Sequence, residues 1–316
     1  MHPALSVIFF TTLSGAGYGL LAWLGAVMWL LQPRGREGTD LYWLPLIAAA
    51  IGLVLVTVGL LCSLGHLGKP QRAWRAMSQW RTSWLSREGV LSLLTYAPAL
   101  AMVFLLWRTE PSATATGALA WAGALTLVLA LATVACTAMI YASLKPIPAW
   151  RHPLVLPGYL LFALLGGAAL LFLPIAWRLP DTAAVLSWVL AALGLPTALL
   201  KLLYWHGIDR TTLPTRGAAV GLPDREVTVF ERPHTEANYI TREMAFEVAR
   251  RHARVLRWLA VALFALVPVL AAIAIQAWPG TAAGIFPVAV AAILAGTFVE
   301  RWLFFAQAKH MVSRYY

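Results

Sequence analysis

Cysteine, charge and histidine at membrane depth are what this sequence has little of, and each shortage closes a route. The chain has two cysteines, Cys62 and Cys136, both inside apolar runs. With no CxxC and no CxxCH, it offers no disulfide framework, no cysteine set for iron–sulfur clusters and no covalent haem attachment. Charged residues make up 12% of the 316 positions, where a soluble domain carries about 25%. Hydrophobic residues make up 60%. Apolar runs of about 20 residues recur along the whole length, which marks an all-α polytopic membrane protein. A barrel is excluded, because its strands alternate over about ten residues and these runs are continuous.

Eight spans are expected, at 5–31, 43–65, 87–107, 117–143, 154–177, 182–204, 256–278 and 283–305. The first begins near Leu5 without a basic leader and is long enough to cross, so no cleavable signal peptide is expected. Pro33, Pro111, Pro146, Pro148, Pro180 and Pro279 fall between spans, where a missing N–H costs least. Pro98, Pro157, Pro174, Pro196 and Pro268 fall within spans or near their ends, as tolerated kinks. On these boundaries about 20 Lys and Arg lie on one side and about 4 on the other. Without the long sixth loop the ratio is still about 10 to 4. Both termini and the loop after the second span are therefore expected in the cytoplasm of a bacterial inner membrane. The net charge of +11 reflects this topology rather than nucleic acid.

All seven histidines fall on that basic side or in its loops. Haem stacked through the bilayer needs axial His at membrane depth, so no haem is expected in this chain. Glu88 and Glu300 read as edge residues and Gln276 is alone, which argues against a proton path through the core. Redox or proton chemistry belongs at the cytoplasmic edge. The segment 207–255 reads as one long cytoplasmic loop within a single anchor domain, 1–316. Its later half is expected to be a helix capped by Thr235 that runs into the seventh span. SGAGYG, Ser14 to Gly19, lies inside a span with no preceding strand, so close helix packing through Gly15 and Gly19 is expected rather than a nucleotide loop.

The densest chemistry is HLGKPQRAWRAMSQWRTSWLSRE, His66 to Glu88. His66 ends one span and Glu88 begins the next, so a hairpin brings both to one membrane face. A titratable His and a carboxylate at the lipid edge suit two-electron, two-proton quinone chemistry. The residues alone leave a plainer reading open: His66 caps its helix, Glu88 pairs with Arg87 or Arg72, and Trp74, Trp80 and Trp84 anchor the interface. Arg72, Arg75 and Arg81 serve either as topology signals or as a docking surface for an acidic partner. Lys145 marks the end of the fourth span or borders a quinone head group.

His66-Leu67-Gly68-x-Pro70-x-Arg72-Ala73, followed by Leu85-Ser86-x-Glu88, resembles the anchor subunits of the dimethyl sulfoxide reductase family. MHPALSVIFFTTLSGAGYG, MIYASLKPIPAW, PHTEANYITREMAFEVARRHA and ERWLFFAQAKH extend the likeness over essentially the whole chain. They resemble most the branch that serves cytoplasmic, sulfite-oxidising, quinone-reducing molybdoenzymes. The resemblance implies eight spans and a quinone (ubiquinone or menaquinone) site at His66, Arg72 and Glu88, with Lys145 and Trp74 as neighbours. It also implies an iron–sulfur partner subunit and a molybdopterin catalytic subunit; Arg75, Arg81, His234 and Arg242 are the residues expected to dock them. Electrons would pass from sulfite through the partners to quinone. The charge count departs from the sulfoxide reductase pattern, because it turns the His66 loop inward and the partners with it. Another sulfur or arsenic oxyanion enzyme could use the same anchor. A transporter would be expected to show inverted repeats or broken helices with polar midplane groups, and neither is clear here.

Overall fold

The computed structural model describes residues 4–31, 43–65, 67–108, 113–211, 214–231 and 252–311. Eight helices among them are long and apolar enough to cross a membrane. They are α1 (Leu5–Leu31), α2 (Trp43–Leu64), α3 (Trp84–Arg108), α4 (Ala113–Ala142), α5 (Val155–Arg178), α6 (Ala183–Arg210), α7 (Ala253–Ala277) and α8 (Ala282–Ala306). Lipid leaves a spanning segment no water for its peptide groups, so apolar runs of this length close their hydrogen bonds internally as helix. The expected spans coincide with these helices. The main difference is α6, which continues to Arg210 instead of ending near Tyr204.

α1 and α5 form the centre. Buried residues make up 61% of α1's apolar stretch and 56% of α5's, against 22% of α3's, which therefore lies at the periphery. α1 packs on α2, α4, α5 and α8; α5 packs on α6 and α8, and α7 joins α6 to α8. Small residues permit the central contact. A Cβ on Gly19 would stand 1.7 Å from Ala163 O, and one on Gly167 would stand 2.1 Å from Gly19 C. Without a hydrophobic drive between helices in lipid, such backbone approach is what dispersion can use. α7 contains a π turn, Ala262–Leu266, just before Pro268. Pro268 cannot donate to Phe264 O, and the wider turn relieves the ring. That carbonyl instead lies 2.9 Å from where a Cβ on Gly194 of α6 would be.

One end of the bundle is knit together by its connections. Gly65, after α2, meets Ser6 of α1. Trp150 donates to Phe304 O at 3.0 Å, and Met311 N–H to Pro146 O at 3.0 Å. Arg257 of α7 pairs with Asp209 of α6 at 2.6 Å and also donates to Gln307. This is the end that carries most of the basic residues, and it is called the basic end below. Of the segment 207–255, its start belongs to α6, and Arg216–Ala219 forms one helical turn capped by Thr215. Most of the helix expected from Thr235 lies outside the described residues.

Candidate functional site

The chain between α2 and α3 forms a strap at the basic end. Pro70 opens a 3-10 helix, Pro70–Gln79, where its missing N–H costs nothing. The strap is tied back onto α3. Ser86 donates to Ala76 O, and Arg87 donates through Nε to Trp80 O (3.0 Å) and through Nη2 to Arg81 O (2.6 Å). The Arg87 guanidinium lies 4.3 Å from the Trp84 ring centroid. These bonds commit Arg87 to the strap, so it does not pair with Glu88.

Glu88, one turn into α3, is 5% exposed. Its recorded partner among the described residues is the Thr137 hydroxyl of α4, which donates to Oε1 at 2.7 Å. The same hydroxyl reaches Thr133 O at 3.1 Å, so its proton is shared. A carboxyl buried with so few donors is costly to hold as an anion. Such a group is suited to taking up and giving back a proton rather than to anchoring a fixed charge.

Thr137 also lines a cavity of about 240 Å³ between α1, α4, α5 and α8, with Leu55 of α2 in its wall as well. The Ser14–Tyr18 stretch forms much of one wall. Gly15 is where the expectation of close packing fails: a Cβ there would meet nothing within 4 Å, and the missing side chain leaves room in the cavity. Gly19 does pack as expected. Three polar groups of the wall make no well-directed hydrogen bond among the described residues: the Tyr18 hydroxyl, near Ser92, and the Tyr159 hydroxyl and Arg301 Nη1, which neighbour each other.

Arg301 belongs to a buried ion cluster. Its Nε and Nη2 both lie 2.6 Å from Glu300 Oε2, and Lys201 Nζ of α6 lies 2.6 Å from Glu300 Oε1. Lys201, Glu300 and Arg301 are each at most 3% exposed. Aromatic faces complete the surroundings, with Lys201 Nζ 3.8 Å from the Tyr204 ring centroid and Arg301 Cζ 4.1 Å from that of Tyr159. Two cations and one anion leave one positive charge over. Sequence alone counts Lys201 with the loop and Glu300 as an edge residue. The signal that could have found them is a lysine two turns before the polar end of α6, since a charge inside a span carries a functional expectation.

Of the residues expected at the site, Glu88 is placed inside the protein. Arg72, Trp74, Arg75 and Arg81 are exposed on or beside the strap, and Lys145 is exposed in the turn after α4. Arg72 forms no ion pair with Glu88 among the described residues. His66, His234 and Arg242 lie outside the described residues. Tyr18, Thr137, Tyr159 and Arg301 were not anticipated. They come from four different helices, and no local motif joins them.

Residues 1–306 match the family model described as the DMSO reductase anchor subunit (DmsC). The chain is also similar to the sulfite dehydrogenase C-subunit of Allochromatium vinosum, with 32% identity over 331 aligned positions that cover 100% of this chain and 99% of that protein.

Proposed function

As this chain belongs to the DMSO reductase anchor subunit family, we propose that it hands electrons from a sulfite-oxidising molybdoenzyme to a membrane quinone. It is a multi-pass membrane anchor, and its family implies catalytic and electron-transfer partner subunits. The likeness to a sulfite dehydrogenase subunit favours sulfite as the electron source. An iron–sulfur subunit docks at the basic end and a molybdopterin subunit sits beyond it. The excess of Lys and Arg on that end orients it toward the cytoplasm of a bacterial inner membrane.

The observation that carries this reading is Glu88, buried at the basic end with one shared hydroxyl as donor among the described residues. Quinone reduction takes two electrons, from the partner clusters, and two protons. Glu88 is the group that exchanges protons with the substrate oxygen. The protons come from the side on which the electrons arrive, so the step moves no net charge across the membrane.

The test uses the purified whole complex. Glu88→Gln should lower sulfite-dependent reduction of a short-tailed quinone by about 100-fold or more, the usual range for loss of an acid–base group. Reduction of an artificial dye by the partner subunits should stay at the wild-type rate. Wild-type quinone reduction in that variant would refute the assignment. The family model also favours a second reading, in which quinol is oxidised to reduce a sulfoxide. Quinol-dependent sulfoxide reduction by the complex, with no sulfite activity, would select it.

A further inference from the structure

We infer that the cavity between α1, α4, α5 and α8 seats the quinone head group, with one carbonyl oxygen at Thr137, in front of Glu88, and the other at Arg301. This rests on the quinone reading above and adds a second binding wall, on helices remote in sequence from the strap.

The cluster of Lys201, Glu300 and Arg301 is one positive charge out of balance in an apolar setting. Arg301 has two of its nitrogens bound to Glu300, and among the described residues Nη1 has no well-directed hydrogen bond, the Tyr159 hydroxyl being its polar neighbour. A buried charged donor in this state calls for an electron-rich oxygen. Arg301 lines the cavity, and so does Tyr159, whose hydroxyl sits beside the same guanidinium. The other polar wall is Thr137, with Glu88 behind it.

A ligand that suits this cavity is a flat apolar ring with an acceptor oxygen at each end. A lipid phosphate would satisfy Arg301 and leave Thr137 and Glu88 unused. The volume of about 240 Å³ falls below the usual 300–1,000 Å³ or so of pockets that enclose a whole drug-sized ligand. It suits a head group whose tail lies outside. Phe9 of α1 and Phe298 of α8 mark the edge where a tail can leave: both line the cavity, their ring centroids are 5.3 Å apart, and Phe9 is 42% exposed. Glu300 holds the guanidinium in place, so Arg301 is a preorganised cation for an oxygen that gains negative charge as electrons arrive. An arginine cannot give up its proton, so proton exchange stays at the Glu88 wall.

The test measures steady-state reduction of a short-tailed ubiquinone by the whole complex, with dye reduction as the assembly control. Arg301→Gln leaves Lys201 and Glu300 as a one-to-one pair and should raise KM at least tenfold. Arg301→Lys, which keeps the charge but not the fork, should fall between it and the wild type. Gly15→Leu fills the cavity and should abolish quinone reduction with dye activity intact. An unchanged KM in both Arg301 variants overturns the inference; if Gly15→Leu and Glu88→Gln are then still inactive with quinone, the broader reading stands. Full quinone activity in Gly15→Leu beside an inactive Glu88→Gln also overturns it, since the head group then sits elsewhere. Full activity in all the variants removes the broader reading as well. The lipid source is checked by phosphate content. If Arg301→Gln loses a co-purifying phospholipid but keeps its bound quinone, Arg301 holds a lipid and the inference fails.

Discussion

Lys201 Nζ of α6 stands 2.6 Å from Glu300 Oε1 of α8, and both side chains are buried. With Arg301 on the other carboxylate oxygen, Glu300 ties two helices through a single group. Removing the shared anion leaves two buried cations facing each other. Glu300→Gln should therefore cost about 3–5 kcal/mol, the range for breaking a buried pair. Arg301→Gln should cost less, because a balanced pair remains. Thermal unfolding of the purified complex in detergent checks the order. Equal midpoints for wild type and Glu300→Gln would show that the cluster does not hold α6 to α8.

His152, in the turn between α4 and α5, offers a pH test outside the spans. Leu154 N–H donates to its Nδ1 at 3.2 Å, so the neutral ring carries its proton on Nε2. Burial, and then the nearby Lys201 charge, push His152 below the ordinary histidine value. The folded protein thus prefers neutral His152, while the unfolded chain binds a proton first. Stability from this group is complete above the unfolded value of about 6.5. It falls as pH drops from there through the lower folded value. His310 is pushed the same way by burial, so it adds to the same acid-side loss. His152→Asn should flatten part of the decline in melting temperature between pH 8 and pH 5. An unchanged slope would remove His152 from the account.

The helices were legible in the sequence, and Glu88 stood out in it for a different reason, though its burial did not. An apolar run of 20-odd residues in lipid has no backbone alternative to helix, so seven of the spans could be bounded closely. Glu88 stands in a dense local pattern at a span edge, where one hairpin fixes its neighbourhood. Lys201 lies three residues inside the end of the expected span, but Trp205, His206 and Asp209 make the last turns of α6 read as loop, so its charge is counted with the loop's. Gly15 and Gly19 carry the same side chain and spacing logic. Only the position of α5 decides that one meets Ala163 and the other faces a cavity. The cavity draws its walls from α1, α4, α5 and α8, and the tertiary packing that joins them leaves no trace in any single stretch.

The strap carries the last prediction. Trp74 and Trp80 are 63% and 54% exposed, and each has a guanidinium 5.6 Å from its ring centroid, Arg75 for one and Arg81 for the other. An exposed strap of Trp and Arg at the basic end could rest on lipid head groups or meet an acidic subunit. Charge reversal separates the two. Arg75→Glu with Arg81→Glu should slow docking of the electron-transfer subunit and weaken its retention about tenfold at low salt, since rim charges act mainly on association. The difference should shrink as salt shortens the Debye length to about 3 Å near 1 M. Arg178→Glu, at the opposite end of α5, should leave retention unchanged. Affinity-purified anchor carrying each variant, washed at rising salt and probed for its partner, gives the comparison. Equal retention in the double variant and the Arg178 control would make the strap a lipid anchor, and docking would have to be sought on the rest of the basic end.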